Sequence, residues 1–187
     1  MEKIKAAGFT DIIVDVRPTT GDVLFNTNVV DQVKRMDVWG NSGYSYYERT
    51  ETWDYLQAFI EEARIQGLKV NASINTFVGG YLCPYNLGHD GVLFRDESKK
   101  GWASVANLAD GLTNTMDLLD DETDYGAKFF NPANDDVQNF VLQLLADLAK
   151  YDLDGIILDR CRYDDYGLES DFSDISKQKF EDTSVKL

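Results

Sequence analysis

Cysteine and histidine are scarce in this chain of 187 residues, which has two cysteines, Cys83 and Cys161, and one histidine, His89. Two cysteines make neither a disulfide framework nor a zinc site of the paired-cysteine kind, and one histidine excludes a multi-histidine metal centre. Cys161 is a poor candidate for a nucleophile because the histidine lies in a distant loop. We therefore expect no cofactor and no bound metal.

Positive charge is also short, since 18 lysines and arginines stand against 33 acidic residues and give a formal net charge of −15. Nucleic acid and anionic membranes would be repelled, so neither is an expected partner, whereas a neutral sugar is not penalised. No apolar run reaches the roughly 18 residues that a membrane helix needs, so membrane insertion is not expected. The chain opens without an apolar signal region, and its localisation is left undetermined.

Helix and strand patterns alternate along the chain. A helix predicted at 53–66 precedes a strand at 69–77, and a helix that begins after Asn134 precedes a strand at 155–158. A strand-like run at 12–14 follows a glycine-stopped helix end, and 173–182 favours a further helix. This order predicts right-handed crossovers and a parallel sheet. The long connections at 18–50 and 78–130 are typical of functional loops.

Strand alternation predicts a polar cluster, because successive side chains of a strand face opposite sides of the sheet. If the apolar faces pack on helices, the inward-facing polar residues near the carboxyl ends of three strands are Asp15, Arg17, Asn75 and Asp159. In barrels built from alternating parallel strands and helices, the active site lies at the carboxyl ends of the strands. The alternative is that Asp15 and Arg17 only balance each other's charge.

Asp159 is the strongest candidate for a catalytic residue. It follows an Ile-Ile-Leu run directly, and a carboxylate there would be costly to bury without a partner. Nearby Arg162 would keep it ionised, as a glycosidic nucleophile or charge stabiliser must be. Trp102 and Tyr81 are candidates for stacking on sugar rings, although packing of the long loop explains them as well.

Three segments resemble the glycosyl-hydrolase-like family 10 proteins, a bacterial group with an amylase-like barrel. They are 8–18, which contains Val16-Arg17-Pro18; 67–75, which ends in Ile74-Asn75; and 154–163, which contains Asp159-Arg160 and ends in Arg162-Tyr163. The resemblance implies that these are barrel strands two to four, and that strand one and strands five to eight lie outside the sequence. It also implies that Asp159 matches the nucleophile position, with Arg162 as its companion and with Arg17 and Asn75 in the pocket.

The sequence thus predicts an α/β fold over residues 1–187, a single domain that forms part of a (β/α)₈ TIM barrel with parallel strands, alternating helices and long βα loops. The predicted function is glycoside hydrolysis by two carboxylates, one of them Asp159, with a carbohydrate as substrate. One alternative is a barrel that binds carbohydrate without cleaving it. Another is a metal-dependent barrel enzyme in which Asp15, Asp159 and Asp164 hold Mg²⁺ or Ca²⁺.

Overall fold

Three strands with alternating apolar residues lie side by side at the centre of the molecule. A computed structural model describes residues 1–40, 43–82, 89–118, 126–165 and 167–184. The helices are α1 (Glu2–Ala6), α2 (Tyr55–Ile65), α3 (Val92–Arg95), α4 (Asp135–Leu148) and α5 (Asp174–Ser184), and 3₁₀ turns cover Glu97–Trp102, Thr115–Asp117 and Gly167–Glu169. The strands are β1 (Asp11–Arg17), β2 (Arg35–Gly40), β3 (Gly43–Glu48), β4 (Lys69–Asn75), β5 (Val78–Leu82), β6 (His89–Asp90), β7 (Val105–Leu108), β8 (Gly111–Asn114), β9 (Lys128–Phe129) and β10 (Gly155–Asp159).

The central sheet is parallel and has the order β1-β4-β10. One of its faces carries the core, because the alternate residues Val70, Ala72 and Ile74 of β4 are buried in one cluster with apolar residues of α2 and α4. On the opposite face, the residues of the two outer strands, Ile13, Asp15, Ile157 and Asp159, are exposed. The predicted strands at 12–14, 69–77 and 155–158 therefore exist and run parallel.

Helix α4 forms where its apolar stripe and its cap predict it. The side chain of Asn134 accepts hydrogen bonds from the backbone N–H groups of Asp136, at 2.9 Å, and Val137, at 3.4 Å. Such a cap satisfies donors that the first helical turn leaves free. The buried residues of the helix are Val137, Phe140, Val141, Leu144 and Leu148.

The predicted TIM barrel is wrong. In the parts of the chain that the structure describes, only β1, β4 and β10 are parallel, and the sheet that they form does not close. The remaining strands pair antiparallel in small sheets of two or three strands, β2-β3, β6-β5-β9 and β7-β8, built from the connections at 18–50 and 78–130. The prediction failed because it assigned three parallel strands to a ring of eight, whereas the long connections between them form antiparallel sheets.

Tyr151, in the turn after α4, forms hydrogen bonds with the loop after β1 and with the residue that caps α2. Its hydroxyl donates to Asp54, the residue that caps α2, and accepts from the backbone N–H of Asn26 at 2.8 Å. Burial, reinforced by the hydrogen bond to Asp54, raises the pKa of Tyr151 to about 12.

Tyr151→Phe is expected to lower the free energy of unfolding by about 1 to 2 kcal/mol, since it removes the partner of the Asn26 N–H and one of the two hydrogen bonds that the Asp54 carboxylate accepts. Urea denaturation measures this loss. Tyr47→Phe, at an exposed tyrosine of β3, is the matched control and should change stability by less than about 0.5 kcal/mol. Equal losses in the two variants would contradict the assigned role of Tyr151.

Candidate functional site

Two of the predicted polar residues lie on the same exposed face of the central sheet. Asp15 pairs with Ser73 of β4 on one side, and Asp159 pairs with Asn75 on the other. Because β4 lies between β1 and β10, the Cα atoms of Asp15 and Asp159 are roughly 10 Å or more apart. Both are exposed.

The charge of Asp159 acts on Asp15. The pKa of Asp15 is raised, first because partial burial removes water from its carboxylate, and further because the negative charge of Asp159 repels it. The backbone N–H of Arg17, 3.3 Å from an Asp15 carboxylate oxygen, and the charge of Arg160 oppose this rise. Asp159 accepts a hydrogen bond from the Arg160 N–H at 2.7 Å, and Arg160 has a left-handed φ of 45°. The chain therefore turns sharply directly after Asp159.

Comparing the stability of Asp15→Asn with that of the wild type at two pH values tests the raised pKa of Asp15. Because the folded-state pKa of Asp15 lies above its unfolded value, the folded protein holds the proton more tightly, and stability falls as the pH rises from the usual aspartate range through the folded value. At pH 7 the variant is expected to be more stable than the wild type, by less than about 1 kcal/mol because the group is solvent-screened. The gain should vanish below about pH 3, where both forms are neutral. Thermal melts at the two pH values measure it, and a gain that persists in acid would contradict the account.

Arg17 does not join the two carboxylates. It is 0% exposed, and its guanidinium donates to the carbonyl of Asn75 and, at 2.7 Å, to that of Val78. The ring centroids of Phe130 and Phe140 lie 5.9 and 5.8 Å from its guanidinium carbon. Burial lowers its pKa to about 10, against the opposing charges of Asp22 and Asp15. Arg17 is therefore part of the core.

A β-bulge explains this position. Asp15 pairs with Ser73, but Arg17 already pairs with Ile74, so β1 advances two residues where β4 advances one. The extra residue reverses which face the following side chain takes. Arg17 thus shares the buried face of Ile74, contrary to the prediction from strict alternation.

The other predicted site residues lie apart. Asn75 is next to Asp159, but it is buried and its amide donates to the Arg17 carbonyl at 2.9 Å. Arg162 pairs with Asp165 at 2.8 Å and lies over the ring of Phe129 at 4.8 Å. Tyr81 pairs in register with Asp90 between β5 and β6. Of the predicted site residues, Asp15 and Asp159 therefore share one exposed face of the central sheet, and the others lie elsewhere.

The metal-binding alternative has no support in this geometry. Asp164, its third proposed ligand, is buried and accepts from the Ser170 hydroxyl at 2.9 Å. Within the described ranges, no three histidine, cysteine or acidic side chains are grouped so that they could hold a metal ion.

Trp102 lies in a separate groove of about 720 Å³ between α4, the loop after β1, α3 and the 3₁₀ turn Glu97–Trp102. Its ring packs against Phe130 and Phe140, with centroids 5.9 and 5.6 Å away, and the Lys99 ammonium lies over it at 3.9 Å. The polar groove residues of α4 are Asp136, Asn139 and Gln143. Sequence reasoning missed them, because polar residues at helical spacing look the same on any solvated helix face.

The two outer strands of the central sheet form further surfaces. Among the described residues, β1 and β10 each pair with no strand but β4, so each leaves one edge without a partner strand. At the end of β1, the Val16 carbonyl accepts a hydrogen bond from the Leu24 N–H at 2.9 Å. Free edges present unpaired backbone N–H and C=O groups to solvent or to another strand. In the described part of the chain, no helix is both long enough and apolar enough to cross a membrane.

No family model matches the chain. A curated S-layer-related protein of Niallia circulans is 32% identical over 186 residues, which are 95% of this chain and 10% of that protein. The chain therefore spans about a tenth of the length of the curated relative that it matches. The predicted function, glycoside hydrolysis in a TIM barrel, is wrong: this relative is named for a surface layer and not for a hydrolase, and the described sheet forms no barrel.

Proposed function

We propose that this chain is a structural module of a cell-surface layer, in which neighbouring copies join through the free edges of the central sheet. The name of the relative supports a surface-layer role, and the match runs along nearly the whole chain. The observation that carries the proposal is the open-edged parallel sheet, whose two edges are formed by different strands, β1 and β10.

The edge formed by β10 is apolar and uncovered. Three consecutive residues, Ile156, Ile157 and Leu158, are 36, 38 and 46% exposed. A strand that exposes apolar residues on both faces and leaves its backbone unpaired is a template for another strand. Charged residues, which natural edge strands commonly use to block such pairing, are absent from these three positions.

The edge formed by β1 offers a matching groove. A cavity of about 470 Å³ lies along it, lined mainly by apolar side chains. The apolar lining residues are Met1, Ile4, Phe9, Ile12, Ile13, Val14 and Phe59. Among these, Phe9 and Ile13 are largely exposed, so this edge also gains by being covered.

The two edges fit together in one arrangement. Ile156 and Leu158 pair with Ala72 and Ile74, so they lie on the helix-covered face of the sheet. Ile12 and Val14 pair with Val70 and Ala72 and lie on that same face. If β10 of one copy pairs parallel with β1 of the next, Ile156 and Leu158 enter the groove along β1. The parallel sheet then continues from copy to copy.

Such a contact joins two different surfaces, β10 of one copy and β1 of the next. Each pair of copies therefore still has one unpaired β1 edge and one unpaired β10 edge, to which further copies can add. Repetition builds a chain or layer and not a closed pair. Light scattering of the isolated 187-residue protein over a range of concentrations tests this. The mean mass is expected to rise steadily with concentration beyond that of a dimer, whereas a constant monomer mass up to about 1 mM would contradict the proposal.

A further inference from the structure

We infer that a lower pH strengthens the contact between copies, because the pairing of β10 with β1 brings Asp159 of one copy beside Asp15 of the next. The inference rests on the proposed function and concerns the control of the same contact. Both carboxylates lie on the exposed face of the central sheet, near the carboxyl ends of their strands. The register of the two strands decides whether they meet.

The carboxyl end of β1 limits this register. The Val16 carbonyl accepts a hydrogen bond from the Leu24 N–H at 2.9 Å, so the loop after β1 covers this end of the strand. Val16 and Arg17 are also fully buried. An added strand can therefore pair with β1 up to Asp15 and not beyond it.

Apolar matching selects one register within this limit. Residues 156–158 of β10 and residues 12–14 of β1 are apolar throughout, and pairing the two runs in step places each apolar side chain beside another. A shift by two residues instead puts Ile157 beside a carboxylate, either Asp11 or Asp15. In the matched register, the aspartate that follows one run lies beside the aspartate that follows the other.

The two carboxylates of this pair repel each other. Asp159 and the Asp15 of the next copy lie on neighbouring strands, with their Cα atoms about 5 Å apart. Within one copy β4 separates the same two residues, yet burial and then the charge of Asp159 already raise the pKa of Asp15. Like charges directly opposite each other weaken strand pairing, and two carboxylates that share a site hold a proton more tightly than either does alone.

The other charges near Asp15 are weaker than this repulsion. Arg160, which follows Asp159, and the buried Arg17 lower the pKa of Asp15, and each charge acts on it less than Asp159 does. The neighbours of the two carboxylates on β4 are uncharged, Ser73 and Asn75. Two joined copies therefore bind a proton more tightly than separate copies, and the association constant rises as the pH falls.

Light scattering of the 187-residue protein at about pH 7.5 and about pH 5.5 tests the inference. The association constant of the wild type is expected to be about tenfold larger at the lower pH. Asp15→Asn and Asp159→Asn should each associate at the higher pH as tightly as the wild type does at the lower. The double variant should gain little more than either single variant, because each change removes the same pair.

The control is Asp136→Asn, which removes one negative charge from α4, in a groove that neither β1 nor β10 lines. It should keep the full pH dependence of the wild type. Association that is equally strong at the two pH values, or a control that loses the dependence as Asp159→Asn does, overturns this inference and leaves the proposed function standing. Failure of the wild type and of both asparagine variants to associate at either pH overturns the proposed function as well.

Discussion

Replacing Arg17 by alanine is expected to lower the free energy of unfolding by about 3 kcal/mol or more, the largest stability loss predicted for this protein. The truncation leaves the carbonyl oxygens of Asn75 and Val78 without their buried donor. It also opens a cavity beside Phe130 and Phe140, against which the side chain packs. Urea or thermal denaturation of the isolated 187-residue chain measures the loss.

Arg17→Lys separates the charge of Arg17 from its shape. Lysine keeps a cation but cannot reach two carbonyls with a planar fork, so an intermediate loss is expected. Arg162→Ala is the exposed control, since its ion pair with Asp165 is open to solvent and should contribute less than about 1 kcal/mol. If Arg17→Ala were as mild as Arg162→Ala, Arg17 would not be the core residue described above.

The sequence predicted what short-range patterns determine. Apolar spacing and the Asn134 cap determine α4, and runs of β-branched residues determine the three parallel strands. Strict alternation also placed Asp15 and Asp159 correctly on one face. These features depend on neighbouring residues only, so they can be predicted without the fold.

Features that depend on distant residues could not be predicted. The bulge in β1 that buries Arg17 is set by its pairing with β4, about sixty residues away along the chain. The number of parallel strands is likewise a property of the whole sheet, and three strands do not imply eight.

One missed element did leave a signal in the sequence. Strands β7 and β8 are joined by Ala109 and Asp110, and Gly111 follows with a left-handed φ of 116°. Asp-Gly between apolar residues is a strong hairpin signal. The stretch at 78–130 therefore contains strands as well as loops.

A charge on β10 is expected to abolish association of the isolated chain. In Leu158→Asp, a carboxylate replaces the most exposed apolar residue of the β10 edge, and it would have to enter the apolar groove along β1 of the next copy. Burial of an unpaired carboxylate is costly enough to weaken the contact by about 100-fold or more. Because the position is half exposed, the fold should survive, and circular dichroism checks this.

Leu142→Asp is the matched control for this variant. Leu142 is an exposed leucine on α4 that belongs to neither strand edge. The same change of charge at this position should leave the association of the Leu142→Asp variant as strong as that of the wild type. Loss of association in both variants would point to net charge and not to the strand edge.

Mixing two variants, each blocked at a different edge, tests the central claim most directly. Ile13→Asp adds a charge to the β1 edge, beside Asp11 and Asp15, and leaves β10 intact, whereas Leu158→Asp does the reverse. By light scattering each variant alone is expected to be a monomer, and an equimolar mixture is expected to form a dimer, because one intact edge of each kind remains. A mixture that stays monomeric, or either variant forming dimers alone, would contradict assembly through unlike edges.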